Sequence, residues 1–419
     1  MSRSDVTAPS HVSSTRAVRA GIACDAHHGA VVPPLHLSST FSFEGFGRKR
    51  PYDYTRSGNP TRDLLACALA ELEGGAGAVV TSTGMSAVTL VLHLLRPGDV
   101  VLAAHDCYGG THRLLRALAA RGHFDLVYAD LTAPDAAEAV RAARPRLVWA
   151  ETPSNPLLRI TDLAVVGAAA HAAGALFVVD NTFCSPALQT PIAYGADLVV
   201  HSTTKYLNGH SDVVGGAVVA RDASLAEELK WWANCLGITG APFDSWLALR
   251  GVRTLHVRMR QHLENAAAVV DALARHEAVA ALHYPGLVTH PGHAIARTQQ
   301  HGFGAMVTLE LPGGTAGVQT FVEALTHFTL AESLGGVESL VAHPATMTHA
   351  SMTGEARATA GITDGMVRLS VGIEDAADLV TDLVQALDAV ALAQADAHTV
   401  HDPRVSRSCP ADAVLVASA

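Results

Sequence analysis

Phe177-Val178-Val179-Asp180-Asn181-Thr182 and Val199-Val200-His201-Ser202-Thr203-Thr204-Lys205-Tyr206 share one plan: an apolar run that turns polar at its carboxyl end. Runs of this kind suit strands buried on both faces of a mostly parallel sheet. The second run leads to a lysine, and lysines are rare here. Lys49, Lys205 and Lys230 stand among 29 basic residues. A chain that otherwise uses arginine and keeps this lysine needs an amine, because a guanidinium cannot form a Schiff base. The first run ends in a carboxylate. An amine and an acid at two strand ends meet the demands of a pyridoxal phosphate site: lysine for the aldehyde carbon, acid for the pyridine nitrogen.

Outward from these two runs the pattern repeats. Further strands are predicted at Ala78–Thr81, Val100–Ala103, Asp125–Tyr128, Leu147–Ala150 and Gly216–Val219, beside Leu176–Val179 and Leu198–His201. Amphipathic stretches between them predict a doubly wound α/β domain with a mostly parallel seven-stranded sheet. Beyond about residue 245 the rhythm changes. A long helix is predicted over Ser245–Arg275, strands at Ala305–Leu311 and Val367–Val371, and helices at Gly317–Leu325 and Asp375–Leu392. That describes a smaller C-terminal α+β domain. The predicted division is an N-terminal arm over 1–60, a large cofactor-binding domain over 61–250, the α+β domain over 251–393 and a flexible tail over 394–419.

The 419 residues carry a net charge of −10 and only 16% charged side chains. With no basic stripe, nucleic acid is excluded as a general partner. No apolar run reaches the roughly 18 residues of a membrane span. The six cysteines form no Cys-x-x-Cys pair, so neither a disulfide framework nor a zinc site is predicted, and a reducing cytoplasm is the expected compartment.

The chemistry gathers at strand ends, where open α/β sheets bind ligands. Thr81-Ser82-Thr83-Gly84-Met85-Ser86 passes from a strand into a helix, whose N-terminal N–H groups and dipole favour phosphate. Tyr108, in His105-Asp106-Cys107-Tyr108-Gly109-Gly110, is placed to stack on a planar ring. The adjacent His105, Asp106 and Cys107 raise the question of a metal, but neighbours on a turn seldom converge on one ion, and no metal is expected. Asn155 offers an amide to the cofactor, Asp180 an ion pair to its nitrogen, and Ser202 and Thr204 hydroxyls to its phosphate. Arg368 presents a planar fork suited to a substrate carboxylate. Tyr54 and Arg56 lie in a polar, Pro-bounded segment of the kind that reaches another subunit.

Six motifs now stand in order: Tyr-x-Arg-x-Gly-Asn-Pro-Thr-Arg, Ser-x-Gly-Met, Asp-x-Tyr-Gly-Gly, Pro-Ser-Asn-Pro, Val-Asp-Asn-Thr and Ser-x-Thr-Lys-Tyr. On these the chain, over Ala17–Leu392, resembles the fold-type I pyridoxal-phosphate enzymes of cysteine and methionine metabolism. Trp231-Trp232-Ala233-Asn234, residues 329–339 and residues 343–350 bring it nearest to the bacterial branch that makes cystathionine. The resemblance implies that Lys205 is the Schiff-base lysine, Asp180 the partner of the pyridine nitrogen and Tyr108 the stacking ring. It implies that Gly84, Met85, Ser202 and Thr204, with Tyr54 and Arg56 from a neighbouring subunit, hold the phosphate. It assigns Arg368 and Ser333, with Asn155 nearby, to the substrate carboxylate, and Glu332, Asp53 and Arg113 to its distal end. A homotetramer is implied, as is formation of L-cystathionine from an O-acyl-L-homoserine, O-succinyl expected, and L-cysteine. Gly110 argues against methionine γ-lyase, which carries cysteine there. Ser57, a residue frequent in the lyases, leaves cystathionine γ-lyase open. O-acylhomoserine sulfhydrylation is a further alternative.

Overall fold

The computed structural model describes residues 14–350 and 352–400. The seven predicted strands are present, each one residue longer: β1 (Gly77–Thr81), β2 (Val100–Ala104), β3 (Asp125–Ala129), β4 (Leu147–Glu151), β5 (Leu176–Asp180), β6 (Leu198–Ser202) and β7 (Gly216–Ala220). They form one sheet in the order β1-β7-β6-β5-β4-β2-β3. The five strands from β6 to β3 run parallel, while β7 is antiparallel to both β6 and β1. Because β7 opposes both neighbours, β1 runs with the parallel set, and the carboxyl ends of six strands share one edge. Lys205 lies on the connection by which β6 turns back into β7.

Trp149, Phe177, Leu102 and Leu147 are fully buried between this sheet and its helices. Each such side chain contributes roughly 1.5–3 kcal/mol of burial. Local signals set the helices. The helix Pro60–Glu73 starts at Asn59, whose side chain accepts the N–H groups of Thr61 and Arg62, and ends at Gly74 with φ 76°. Gly84 opens the helix Gly84–Leu92, and its missing side chain matters, since a Cβ there would lie 2.9 Å from the Ser202 Cβ.

The second sheet has the order β10-β11-β12-β9-β8, with β8 (Ala281–His283), β9 (Met306–Glu310), β10 (Thr329–Leu330), β11 (Leu340–Ala342) and β12 (Met366–Ser370). Its core is Phe321, Val307, Leu309, Val367, Leu383 and Leu387. Here the structure corrects the sequence reading in three places. The helix predicted over Ser245–Arg275 is two helices, Pro242–Val252 and Leu255–Leu273. The Gly251 carbonyl accepts from the Thr254 N–H, the Thr254 hydroxyl and Arg258 Nη2, which diverts it from the regular helical bond. The last helix runs over Ala376–Val400, past the predicted end at Leu392. The arm, read as irregular, contains a short helix, Ser14–Arg19, anchored by buried Ala17. Of the tail, residues 401–419 lie outside the described residues. Among the described residues no helix is long and apolar enough to cross a membrane.

Candidate active site

The shared carboxyl edge of the large sheet opens into a cavity of about 490 Å³. Gly84, Met85, Tyr108, Asn155, Asp180, Ser202, Thr204, Lys205, Glu332, Ser333 and Arg368 all line it. Eleven of the fifteen residues singled out from sequence therefore meet in one place. They arrive from both sheets, which are fastened at the rim. Thr308 Oγ1 on β9 donates to the Pro156 carbonyl at 2.6 Å, and Arg368 Nη1 on β12 donates to Asn155 Oδ1 at 3.1 Å.

Lys205 Nζ donates to Ser333 Oγ at 2.7 Å. Burial, and then the Arg368 charge, pull the amine down to about 8, against the opposing effect of Glu332. Arg368 is buried, and burial lowers its guanidinium to about 10. Its Nη2 donates to the Ser333 carbonyl at 2.9 Å, whereas its Nε has no protein partner. Ser333 thus serves both cations, and it does so with φ 94°. A non-glycine residue in that region costs on the order of 1–3 kcal/mol and persists where surrounding contacts impose it.

Asp180 closes β5. Burial pushes its carboxyl up, while the Thr182 hydroxyl and N–H, the latter at 3.0 Å, and His201 favour the charged form. Beneath the sheet His201 Nε2 meets Glu73 Oε1 at 2.6 Å, both side chains wholly buried. Tyr108 is half-exposed and faces the cavity. Gly110 makes room for its ring, since a Cβ there would lie 2.6 Å from Tyr108 Cε1. Thr83 caps the helix Gly84–Leu92 by accepting the Ser86 N–H at 2.9 Å, and the earlier N–H groups belong to Gly84 and Met85, which line the cavity. The Thr204 hydroxyl donates to the Gly215 carbonyl at 3.2 Å and accepts the Gly215 N–H at 3.0 Å.

Four residues stand apart from the cavity. Arg56 Nη1 donates to the Asn234 carbonyl at 2.9 Å, and its guanidinium lies over the Tyr54 ring. Asp53 pairs with Lys49. Arg113 is exposed on the helix Gly109–Ala119, near enough for its charge to act on Tyr108. His105 and Asp106 are otherwise engaged, and the Cys107 thiol is free and buried: Asp106 accepts from Ser154 and Arg159, and Arg159 also donates to His105 Nε2. No group of three such side chains positioned for a metal occurs among the described residues.

Sequence reading passed over Glu151, Thr182 and Thr348, which also line the cavity. Glu151 closes β4 as Asp180 closes β5, and that shared position was the available signal. Thr348 sits on a loop with no comparable mark.

A half-buried lysine drawn down to about 8, an acid at a strand end, an aromatic face and a helix N-terminus around one cavity suit pyridoxal phosphate in charge and size. They define a pyridoxal-phosphate enzyme of the α/β, fold-type I class. The model of the Cys/Met metabolism PLP-dependent enzyme family matches residues 14–388, and the chain belongs to that family. It is 55% identical over 371 residues to cystathionine gamma-synthase of Escherichia coli (strain K12), covering 88% of this chain and 96% of that one. It is 47% identical over 376 residues to cystathionine beta-lyase of Lactococcus lactis subsp. cremoris (strain MG1363), covering 89% and 98%. Among solved structures, cystathionine gamma synthase from Xanthomonas oryzae pv. oryzae in complex with cystathionine is 64% identical, with a TM-score of 0.89 over 90% of this chain and 98% of that one.

Proposed function

We propose that this enzyme forms L-cystathionine from an O-acyl-L-homoserine, O-succinyl expected, and L-cysteine by γ-replacement, releasing the acid. The observation that carries the reading is the 64% identity, over 90% of the chain, to a synthase solved with cystathionine bound. Bound pyridoxal phosphate supplies an electron sink for negative charge at the substrate carbon that loses its proton.

The chain's own residues do the rest. Asp180, ionised, holds the cofactor's nitrogen protonated, and Tyr108 covers the ring. The N–H groups at Gly84 and Met85, with Ser202 and Thr204, hold the phosphate. Arg368 binds the substrate's α-carboxylate, and Ser333 and Asn155 keep its fork in plane. Lys205 takes the α-proton and returns protons further along the chain. This requires a neutral amine, and a value of about 8 leaves part of it neutral near physiological pH. Glu332 faces the distal end of the substrate, joined in this reading by Arg113 and Asp53.

Tyr54 and Arg56 belong, in this proposal, to the site of a neighbouring subunit within a homotetramer. Val31, Val32, Leu37, Phe43 and Phe46 on the same arm are exposed, as surfaces that pack on another copy are. The free thiols of Cys24, Cys67, Cys107, Cys184 and Cys235 accord with a reducing, cytoplasmic setting.

The test is a paired assay on purified enzyme. One arm supplies O-succinyl- or O-acetylhomoserine with cysteine and measures cystathionine. The other supplies cystathionine alone and measures cysteine with 2-oxobutanoate. Cystathionine formation is expected to dominate and to identify the acyl donor. Dominant breakdown would replace this reading with a γ-lyase, the outcome to which Ser57 points.

A further inference from the structure

We propose that Glu151 works as an uncharged carboxylic acid that positions Tyr108 and leaves Asp180 as the single carboxylate facing the cofactor's nitrogen. This rests on the cofactor reading above.

Glu151 and Asp180 are paired in register at the ends of β4 and β5. Neighbouring strands lie about 4.8 Å apart and paired residues point to the same face, so two acids stand side by side. Both line the cavity, and Glu151 is buried. Around Glu151 the ionisable groups are Asp180 on β5, Asp106 and Cys107 on the loop after β2, and the Tyr108 phenol; the backbone N–H groups of Tyr108 and Asn155 bond it and pull the other way, towards the charged form. Two carboxyls side by side at a largely buried site do not both ionise readily. Asp180 has the better claim to the charge, through the Thr182 N–H and hydroxyl and the nearby His201. Burial and the neighbouring Asp180 push the Glu151 carboxyl well above the usual carboxylate range.

The proton leaves Glu151 with a structural task. Its Oε2 accepts the Tyr108 N–H at 2.7 Å. Tyr108 directly precedes the helix Gly109–Ala119, which has no side-chain cap of its own. Glu151 therefore ties the start of that helix to β4, and the tie sets the ring that covers the cofactor. It is a positioning residue, acting through Tyr108 and Asp180.

The experiment compares Glu151→Gln and Glu151→Ala in the full-length holoenzyme. Glutamine keeps an oxygen for the Tyr108 N–H and cannot ionise; alanine leaves that donor unpaired. The readouts are cofactor dissociation constant, visible circular dichroism of the bound cofactor, and kcat with KM. Glu151→Gln should hold cofactor affinity within about twofold and lose less than about fivefold in kcat. Glu151→Ala should weaken cofactor binding by about tenfold or more and damp the visible circular dichroism. Equal damage in both variants overturns the proposal, because an ionised carboxylate would then be required. Unchanged circular dichroism in Glu151→Ala overturns it as well. Should Glu151→Ala not fold, the infrared carbonyl band of a protonated acid decides. It is expected in the wild type and lost in Glu151→Gln, and its absence from the wild type overturns the proposal. Failure of the wild-type protein to take up pyridoxal phosphate would sink the cofactor reading itself.

Discussion

The carboxyl edge of the large sheet and the arm around Tyr54 and Arg56 bear equally specific motifs, and the chain treats them in opposite ways. At the sheet edge Lys205, Arg368, Asn155 and Ser333 hold one another through bonds of 2.7–3.1 Å between two sheets. On the arm Arg56 is tied to Asn234 and Tyr54 is half-exposed, away from the cavity. One set of residues is organised by the chain's own core. The other has its motif but stands apart from that cavity within its own subunit. Specific residues alone do not make a site; a core must bring them together, and for the arm that core is proposed to be a neighbour's.

The largest effect that would sharpen this contrast is at the sheet edge. Lys205→Ala should abolish turnover, by about 10⁴-fold or more, while the protein still melts cooperatively. Substantial residual turnover would remove Lys205 from proton transfer. Arg368→Ala should act mainly on substrate binding, raising KM by roughly 10²-fold, since it removes a buried charge-assisted pair. An unchanged KM would place the carboxylate elsewhere. The arm offers the test that can break the comparison. Arg56→Ala alone should weaken cofactor affinity by about tenfold. Co-expressed with Lys205→Ala, and assayed with the cofactor held well below what the Arg56→Ala site needs, it should restore about a quarter of wild-type activity, because half of the mixed pairs' sites are then intact. No recovery would mean that Arg56 serves its own subunit or none.

Much of this was legible because it is local. Near-continuous Val, Leu and Phe runs marked all seven strands of the large sheet, and the polar residues that end them marked the cavity. What escaped depends on particular side-chain bonds, on very short elements or on partners distant in sequence. The break after Val252 arises because the Gly251 carbonyl is taken by Thr254 and Arg258, and no propensity records that. The strands β8, β10 and β11, of two or three residues, are too short to show a period. The pairing of Glu151 with Asp180 is a register between two strands separated by a helix. Each residue was visible, and their adjacency was not. Tyr54 and Arg56 mark the opposite limit, where a clear motif does not say which subunit's cavity it completes.

The Arg368 Nε, buried without a protein partner, carries one last consequence. An unpaired buried donor costs about 1–3 kcal/mol, and no group of the protein meets this one. A carboxylate that meets this donor relieves a tension already present, so part of the work of recognition is done when the chain folds. Stability and affinity are then opposed at this residue. A variant that satisfies Nε from within would melt at a higher temperature and grip its substrate less well.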